Sequence, residues 1–399
     1  MRLNPNIPYK TRGNGALAVG FGRGYGSRHI IGNIDGMDVH GYSRIRSLEL
    51  DDDTWEKIVD AVDSLRMHDH GTESFLLLTW KKLPVKYYRE ALHRHIRPED
   101  VDLRHEAIAA YRSFAPEARG KIGATAALGW QPKRYTYELI AYRYPERIGT
   151  KRDIDPQSVI EMDEEIESTF DNYDRKNDYV AIAPNSPCPV LFGIRGTIPE
   201  DLIKAKDMIC GEGWSRWMIY RTNQGTDDHI ERIHVKNVRP WMSVAITGTV
   251  AHEPKTIPGG HVIFRICDNT GCIDCAAYEP TKEFRDIVRA LVPGDVIEVY
   301  GGVRKEPMTV NIEKMRVIKL ARYMKRVPNI RCPRCGGSMK SHGKNEVICR
   351  RCGYKLRGSK IPMVEVDRKI KPGWYEVPVI ARRHLAMPLK LIYRHGKKS

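Results

Sequence analysis

Four cysteines near the C-terminus have the spacing of a structural zinc site. They form two C-x-x-C pairs separated by thirteen residues, namely Cys332, Cys335, Cys349 and Cys352. Two such knuckles bring four thiolates into the tetrahedral arrangement that Zn²⁺ prefers. Because all four positions are cysteine, none is left open for a reacting water. The pattern therefore predicts a zinc ion that folds a ribbon rather than one that does chemistry.

A third C-x-x-C pair, Cys272 and Cys275, has a different interpretation. It lies on a predicted strand, where residues three apart point to opposite faces. We expect these two residues and Cys267 to contribute packing. The chain has nine cysteines, and four of them have metal-ligand spacing, so thiols in a reducing compartment are expected rather than disulfides.

Two glycine-punctuated segments of the N-terminal half are candidates for binding nucleotide phosphates. The first consists of Thr11, Arg12, Gly13, Asn14 and Gly15, and the second, also predicted to be a loop, includes Gly120, Lys121 and Gly123. Because glycine has no side chain, the backbone amides around it can face an anion, and the neighbouring Arg or Lys adds positive charge. Neither segment is a Walker motif. Alone, the first segment is better explained as a plain turn, but two such segments in one half favour nucleotide phosphate binding.

The charge distribution favours a polyanionic partner. The formal net charge is +16, and residues 319–357 hold twelve Lys or Arg with a single acid, Glu346. Residues 377–399 add six more cations and no acid, whereas residues 153–178 are acidic. Solubility alone does not require such segregation. No apolar run is long enough for a membrane helix and the N-terminus has no apolar signal core, so we predict a cytoplasmic protein without a membrane partner.

The elements that position these residues divide the chain into two halves. The first half alternates predicted strands and helices, including helices at 85–95 and 99–114, which indicates an α/β or α+β catalytic part. The histidines His93, His95 and His105 flank these helices and are expected at the surface. Beyond residue 240 come three predicted strands, a helix and two more strands, which is the order of an OB-fold.

Several segments, in this order, resemble the archaeal tRNA-isoleucine agmatinylcytidine synthetase family, and the resemblance extends from Leu3 to Leu389. They are residues 6–16 (NIPYKTRGNGA), 138–147 (ELIAYRYPER), 169–172 (TFDN), 187–190 (PCPV), 193–196 (GIRG), 222–223 (TN) with Asp227 and His229, 373–378 (GWYEVP) and 381–385 (ARRHL).

The resemblance implies an α+β multidomain protein that is an ATP-dependent ligase. ATP would activate the C2 oxygen of the wobble cytidine in the CAU-anticodon isoleucine tRNA, and agmatine would then displace it. The implied units are a kinase-like ATP and cytidine domain (1–176), a ferredoxin-like region (177–238), an OB-fold (240–325), a zinc ribbon (328–358) and a basic C-terminal tail (359–399).

The implied chemistry assigns roles to particular residues. Thr11, Arg12 and Asn14 would act in phosphoryl transfer with ATP and Mg²⁺. Agmatine is a dication that calls for carboxylates, and Asp171 is the leading candidate, followed by the other acids Glu161, Asp163, Asp227 and Asp228. Any of these acids is equally compatible with a solvated surface. Arg143 between two tyrosines would grip a nucleotide, unless it belongs to the edge of the core.

One departure from the family leaves an alternative open. Family members carry a Gly-Ile-Asp-Asp-Thr-Asp segment that serves ATP and metal, and this chain begins after it. Either the reading frame continues upstream of Met1, or the segment is absent and ATP turnover is lost. In the second case the chain would be a catalytically inactive OB-fold and zinc-ribbon protein that binds RNA or single-stranded DNA.

Overall fold

The computed structural model describes residues 82–106, 108–115, 118–343 and 345–396. Before residue 82 it describes short elements only. These are strands β1 (Arg2–Leu3), β2 (Ala16–Leu17), β3 (Gly32–Ile34), β4 (Met37–Val39) and β5 (Phe75–Thr79), and helix α1 (Asp52–Ser64).

The next elements are helix α2 (Val85–His93), strand β6 (Ile108–Ser113) and helix α3 (Gly120–Gly129). Helices α2 and α3 pack closely, and a Cβ at Gly129 would lie 2.7 Å from the Pro84 carbonyl oxygen. The predicted helix at 85–95 is confirmed, but the one at 99–114 is wrong. Most of that segment is a turn followed by β6, because β5, about thirty residues away, offers it an antiparallel ladder.

A ferredoxin-like unit follows. Its strands are β7 (Thr136–Tyr142), β8 (Tyr173–Asp174), β9 (Tyr179–Val180), β10 (Val190–Gly196) and β11 (Arg216–Thr222), and its helices are α4 (Pro156–Glu165) and α5 (Pro199–Met208). The main sheet has the order β10-β7-β11, all antiparallel, and β1 and β3 extend it at β11.

The sheet order corrects one predicted boundary. Strand β7 was placed in the kinase-like region (1–176), but it lies between β10 and β11 of the predicted ferredoxin-like region. Leu139 of β7 packs with Val159 of α4, Ile194 of β10 and Leu202 of α5 in one buried core. The ferredoxin-like unit therefore begins before β7 rather than after residue 176.

The predicted OB-fold is confirmed as a closed barrel. Its strands are β13 (Ser243–Val250), β15 (His261–Asp268), β16 (Gly271–Ala277), β17 (Val296–Arg304) and β18 (Thr309–Lys319). Strand β12 (Glu231–Arg232) precedes the barrel, and β14 (Lys255–Ile257) lies on its edge. Helix α6 (Phe284–Arg289) lies between β16 and β17. The order β13-β17-β18-β16-β15 closes through pairing of β15 with β13. Alternate residues, such as Val244, Ile246, Val299 and Val317, fill its interior.

A bulge interrupts the pairing of β17 with β18. Tyr300 pairs with Lys314 and Gly301 pairs with Ile312, which leaves Glu313 as the extra residue. In a bulge of this kind two successive side chains leave the usual alternation. Glu313 and Lys314 are both almost fully buried. A Cβ at position 301 would lie 2.0 Å from the Asn311 carbonyl oxygen, so the close approach of the strands requires glycine there.

The β15–β16 hairpin corrects the expectation about cysteines. Cys267 lies directly opposite Cys272 and the two form a disulfide, with their Cα atoms 4.0 Å apart. The two-residue turn of Asn269 and Thr270 sets this register. The expectation of packing alone holds for Cys275, which is a buried free thiol.

The ribbon and the C-terminus complete the chain. Strands β20 (Met339–Ser341), β21 (Glu346–Cys349) and β22 (Lys355–Arg357) form the ribbon, and β19 (Met324–Arg326) pairs with β23 (Met363–Glu365). Strand β24 (Gly373–Glu376) then joins the barrel at β18, and helix α7 (Leu389–Gly396) packs against Phe170 through Leu391. We call residues 373–396 the strap.

The strap lies within the segment predicted as a basic tail, and it packs against the rest of the protein. Leu385 enters the core between α2 and α3, so one segment contacts the barrel, the ferredoxin-like unit and the first helices.

Short 3₁₀ turns occur at Pro98–Asp100, Pro145–Arg147, Val235–Asn237, Glu279–Thr281, Gly358–Lys360 and Val379–Ala381. In the part of the chain that the structure describes, no helix has the length and apolar character needed to cross a membrane.

Candidate active site and zinc centre

The four ribbon cysteines converge as their spacing predicts. The Cys332 and Cys352 sulfurs are 3.6 Å apart, and the Cys335 and Cys349 sulfurs are 3.5 Å apart. A tetrahedral Zn²⁺ with Zn–S bonds of about 2.3 Å separates its sulfurs by about 3.8 Å, so the set fits zinc. Gly336 and Gly353 follow the pairs with φ of 68° and 71°. These are left-handed angles that glycine adopts without strain.

The two glycine-punctuated segments have different outcomes. Thr11, Arg12, Gly13, Asn14 and Gly15 lie outside the described residues. Gly120, Lys121 and Gly123 do not form the predicted loop, because they begin helix α3. The amides of Lys121 and Ile122 already donate to the carbonyls of Ala118 and Arg119. The positive end of the helix remains, but an open cradle of amides does not.

Arg143 is part of the core and not of a nucleotide grip. Its guanidinium forms a bidentate pair with Glu212, with Nε–Oε1 and Nη2–Oε2 distances of 2.6 and 2.8 Å, and also donates to the Thr150 carbonyl at 2.8 Å. Both side chains are almost completely buried. The substrate-binding prediction for Arg143 is therefore corrected, and the core-edge interpretation is the one that the structure supports.

Asp171, the leading candidate for agmatine, already has a cationic partner. It forms a buried ion pair with Arg382 of the strap, which also contacts Glu376 at 2.7 Å. Asp163 is mostly buried and lies 3.6 Å from Arg175, and burial raises the pKa of its carboxyl group despite Lys390 and Arg175 nearby. Glu161 is exposed on α4, where it accepts a hydrogen bond from Gln157.

Asp227 and His229 belong to an ion-pair cluster between the ferredoxin-like unit and the barrel. Asp227 pairs with Lys314, and the His229 Nε2 lies 2.8 Å from the Glu313 Oε1. The ligand-type atoms of Asp227, His229 and Glu313 lie within 4.8 Å of one another. Because Lys314 and Arg383 already supply positive charge to these acids, the group is complete without a metal ion.

Asp228, between these two residues, faces a different environment. Its carboxylate accepts a hydrogen bond of 2.8 Å from the Tyr88 hydroxyl of α2, and the Asn223 amide donates to that hydroxyl at 3.2 Å. Within the described part of the chain no Lys or Arg pairs with Asp228. Burial raises the pKa of Asp228, while Tyr88, His229 and His93 lower it in part.

Two histidines beside Asp228 have buried nitrogens without a hydrogen-bond partner among the described residues. They are the Nδ1 atoms of His93 and His229. His93 lies 3.8 Å from Glu231, and burial lowers the pKa of its ring despite that carboxylate. Buried polar atoms of this kind usually bind a ligand or an ordered water. Together with Asp228 and Tyr88 they form the junction cluster, between α2 and the 222–231 loop.

The sequence located this cluster only in part. Asp228 is one of the candidate acids for agmatine, and it lies inside the segment with Asp227 and His229 that carries the resemblance. His93 was expected at the surface with His95 and His105. His95 and His105 are exposed, as expected, whereas His93 is half-buried. No pattern in the sequence marks His93 for burial, because it follows Leu92 by one residue and so lies about 100° away from it around the helix.

Family models match three consecutive parts of the chain. They are the TiaS TCKD domain at residues 1–114, the TiaS FLD domain at 118–229 and an OB-fold nucleic acid binding domain at 244–318. The division between the first two falls before β7, in agreement with the sheet order.

Whole proteins match over nearly the full length. The isoleucine-tRNA 2-agmatinylcytidine synthetase TiaS of Methanocaldococcus jannaschii is 42% identical over 394 residues, which are 98% of this chain and 89% of that protein. A solved complex of TiaS with its isoleucine tRNA and ATP aligns with a TM-score of 0.75 at 36% identity, covering 97% of this chain and 87% of that one.

A second solved structure, a complex of TiaS with the same tRNA, AMPCPP and agmatine, has a TM-score of 0.71 at 37% identity and covers 84% of this chain and 81% of that one. The identity, the coverage and the order of the matched domains agree with one another, and the chain belongs to the TiaS family of isoleucine-tRNA 2-agmatinylcytidine synthetases.

Proposed function

We propose that this protein is an ATP-dependent ligase that joins agmatine to C2 of the wobble cytidine in the CAU-anticodon isoleucine tRNA. The observation that carries the proposal is the match to TiaS enzymes over 98% of the chain. That match includes both domains of the catalytic half, so an inactive binder made of barrel and ribbon is not favoured.

The chemistry has two requirements that the chain must meet. ATP supplies the phosphoryl group that turns the cytosine C2 oxygen into a leaving group, and Mg²⁺ accompanies it as in phosphoryl transfer generally. The chain must also hold agmatine's amine beside C2 and accept the proton that the amine loses as the C–N bond forms. Thr11 to Gly15, together with the positive end of α3, are the residues that we assign to the nucleotide.

We assign the amine end of agmatine to Asp228. Among the candidate acids, Asp171 and Asp227 have Arg382 and Lys314 as partners. Asp163 lies 3.6 Å from Arg175, and Glu161 is a surface residue. Asp228 has a tyrosine hydroxyl instead of a cation, so an ammonium group would complete its charge balance. Its raised pKa suits a group that takes up a proton during the reaction.

The ribbon and barrel serve as the tRNA grip in this proposal. The four cysteines would hold one structural Zn²⁺, which folds the ribbon and takes no part in the chemistry. The cytosine must leave the anticodon stack to reach the junction cluster. The protein would work in the cytoplasm, where tRNA is modified.

The proposal is tested by incubating the full chain with ATP, agmatine and a CAU-anticodon isoleucine tRNA transcript. Mass spectrometry of the wobble nucleoside should show addition of agmatine with loss of water. An elongator methionine tRNA, which has the same anticodon, should remain unmodified. Tight tRNA binding without any modified nucleoside, including in a version extended upstream of Met1, would contradict the proposal.

Asp228→Asn tests the site assignment separately. We expect the modification rate to fall by about a thousandfold, in the range typical of losing an acid–base group. Asp286→Asn on α6 is the matched control, because Asp286 is an exposed acid that pairs with Arg289 on the surface. Equal rates for the two variants would remove Asp228 from the site.

A further inference from the structure

The barrel reaches into the ferredoxin-like unit at the bulge of β18. Glu313 and Lys314 are both buried there, and both side chains contact residues of the 222–231 loop rather than the barrel core. Their partners, His229 and Asp227, stand on either side of Asp228. We propose that Glu313 and Lys314 are positioning residues that fix Asp228 for the reaction, so that the chemistry depends on the barrel. This inference rests on the proposed function.

Asp227 is held from two directions. One carboxylate oxygen pairs with the Lys314 ammonium, and the other accepts the Met387 amide of the strap at 2.7 Å. Lys314 also donates to the Met387 carbonyl at 2.9 Å. The three groups form a closed ring of hydrogen bonds that joins barrel, strap and loop. Asp227 has a left-handed φ of 59°, a conformation that non-glycine residues keep only where contacts hold it.

His229 is held by the same bulge. Its Nε2 meets Glu313 at 2.8 Å, and Arg383 of the strap lies 3.6 Å from the other oxygen of that carboxylate. The His229 ring is completely buried, and its Nδ1 belongs to the junction cluster. A change at Glu313 is therefore transmitted to the junction cluster through one imidazole ring.

The strap backbone closes the remaining side of the loop. The amides of Gly225 and Asp227 donate to the carbonyls of His384 and Leu385 at 2.8 and 2.9 Å. Asp228 thus has an anchored residue on each side of it, and its carboxylate is directed at Tyr88. Displacement of either anchor would move the carboxylate relative to α2.

Stability alone does not account for the buried Lys314–Asp227 ion pair and the buried His229–Glu313 hydrogen bond at this junction. Apolar residues of similar volume usually stabilise an interface as well or better, because they avoid the desolvation of charge. Ion pairs instead fix geometry, since each fails if its partner moves by an ångström or more. Geometry matters to rate, because a displacement of about 1 Å can lower it by about a hundredfold.

The test compares Lys314→Met with Lys204→Met in the full-length protein. Lys204 is an exposed residue of α5, outside the barrel and the ribbon, so it controls for the substitution itself. For Lys314→Met we expect kcat to fall by about a hundredfold, with the Kd for tRNA unchanged. Amide hydrogen exchange should rise at Gly225 and Asp227. For Lys204→Met we expect wild-type values. A wild-type kcat in Lys314→Met would overturn the proposal.

Conservative variants separate positioning from folding. Lys314→Arg keeps the charge and should recover most of the rate. Should Lys314→Met fail to fold, as judged by melting and zinc content, Glu313→Gln takes its place and should lower kcat by about tenfold without changing the Kd for tRNA. If even the wild type forms no modified nucleoside, the proposed function fails. Hydrogen exchange at the loop then still decides whether the bulge holds it.

Discussion

Two basic stretches of the chain, the ribbon and the strap, place their charges in opposite ways. The ribbon cations Arg331, Arg334, Arg350 and Arg351 are exposed. The strap cation Arg382 is buried with Asp171 and Glu376, while Lys390 donates to the Thr169 carbonyl and Arg394 pairs with Glu167. One stretch presents its charge to solvent, and the other uses most of its charge inside the molecule.

The difference between ribbon and strap lies in their partners. Residues 319–357 contain a single acid, Glu346, and it already pairs with Lys355 and Arg357. The other ribbon cations have no acid within this stretch, and in the proposed function tRNA phosphates would be their anions. The strap cations meet carboxylates of the ferredoxin-like unit instead. A run of basic residues therefore indicates a nucleic-acid surface only where the fold offers it no acids.

The largest effect that separates the two stretches is expected from Cys335→Ser. Loss of one of four thiolates should abolish stoichiometric zinc binding and unfold the ribbon, because zinc binding supplies most of the folding free energy of such small units. The tRNA affinity should fall while the melting transition of the remaining chain persists. Metal analysis and calorimetry measure both effects. Full zinc content in the variant would contradict the ligand assignment.

Arg382→Gln should act on stability rather than on tRNA binding. It leaves the buried Asp171 and Glu376 without their cation, which typically costs about 3 to 5 kcal/mol. Urea unfolding measures the free energy, and Arg394→Gln is the control, because its partner Glu167 is largely exposed. If Arg382→Gln weakened tRNA binding without destabilising the protein, the strap would belong with the ribbon.

Arg350→Gln combined with Arg351→Gln should have the opposite signature. Neither arginine forms an ion pair within the described residues, so stability should stay close to that of the wild type. The slope of log Kd for tRNA against log salt should decrease by about one for each phosphate that the variant no longer neutralises. An unchanged slope would mean that the tRNA lies elsewhere.

The local features of the fold were predictable and the distant ones were not. The barrel strands and the zinc knuckles follow from alternation and spacing within short stretches of the chain. The helix expected at 99–114 failed because β5 pairs with β6 across an intervening helix. The Arg382–Asp171 pair joins residues 211 positions apart, which no local pattern contains. The disulfide did have a local signal, since a two-residue turn places Cys267 opposite Cys272.

The smallest effect concerns the pH dependence of stability on the strap side. Burial pushes the pKa of Glu313 upward, but His229, Arg383 and Lys314 outweigh it and lower the pKa from 4.5 to about 2. A carboxyl whose folded pKa is lowered contributes stability above its unfolded pKa. That contribution is lost as the pH falls from about 4.5 towards 2.

Glu313→Gln should therefore show a shallower fall of melting temperature across this range. The ribbon variant with Arg350→Gln and Arg351→Gln should follow the wild type. Parallel curves for Glu313→Gln and the wild type would mean that Glu313 gains nothing from its cations. Arg383 would then no longer count among the paired cations of the strap.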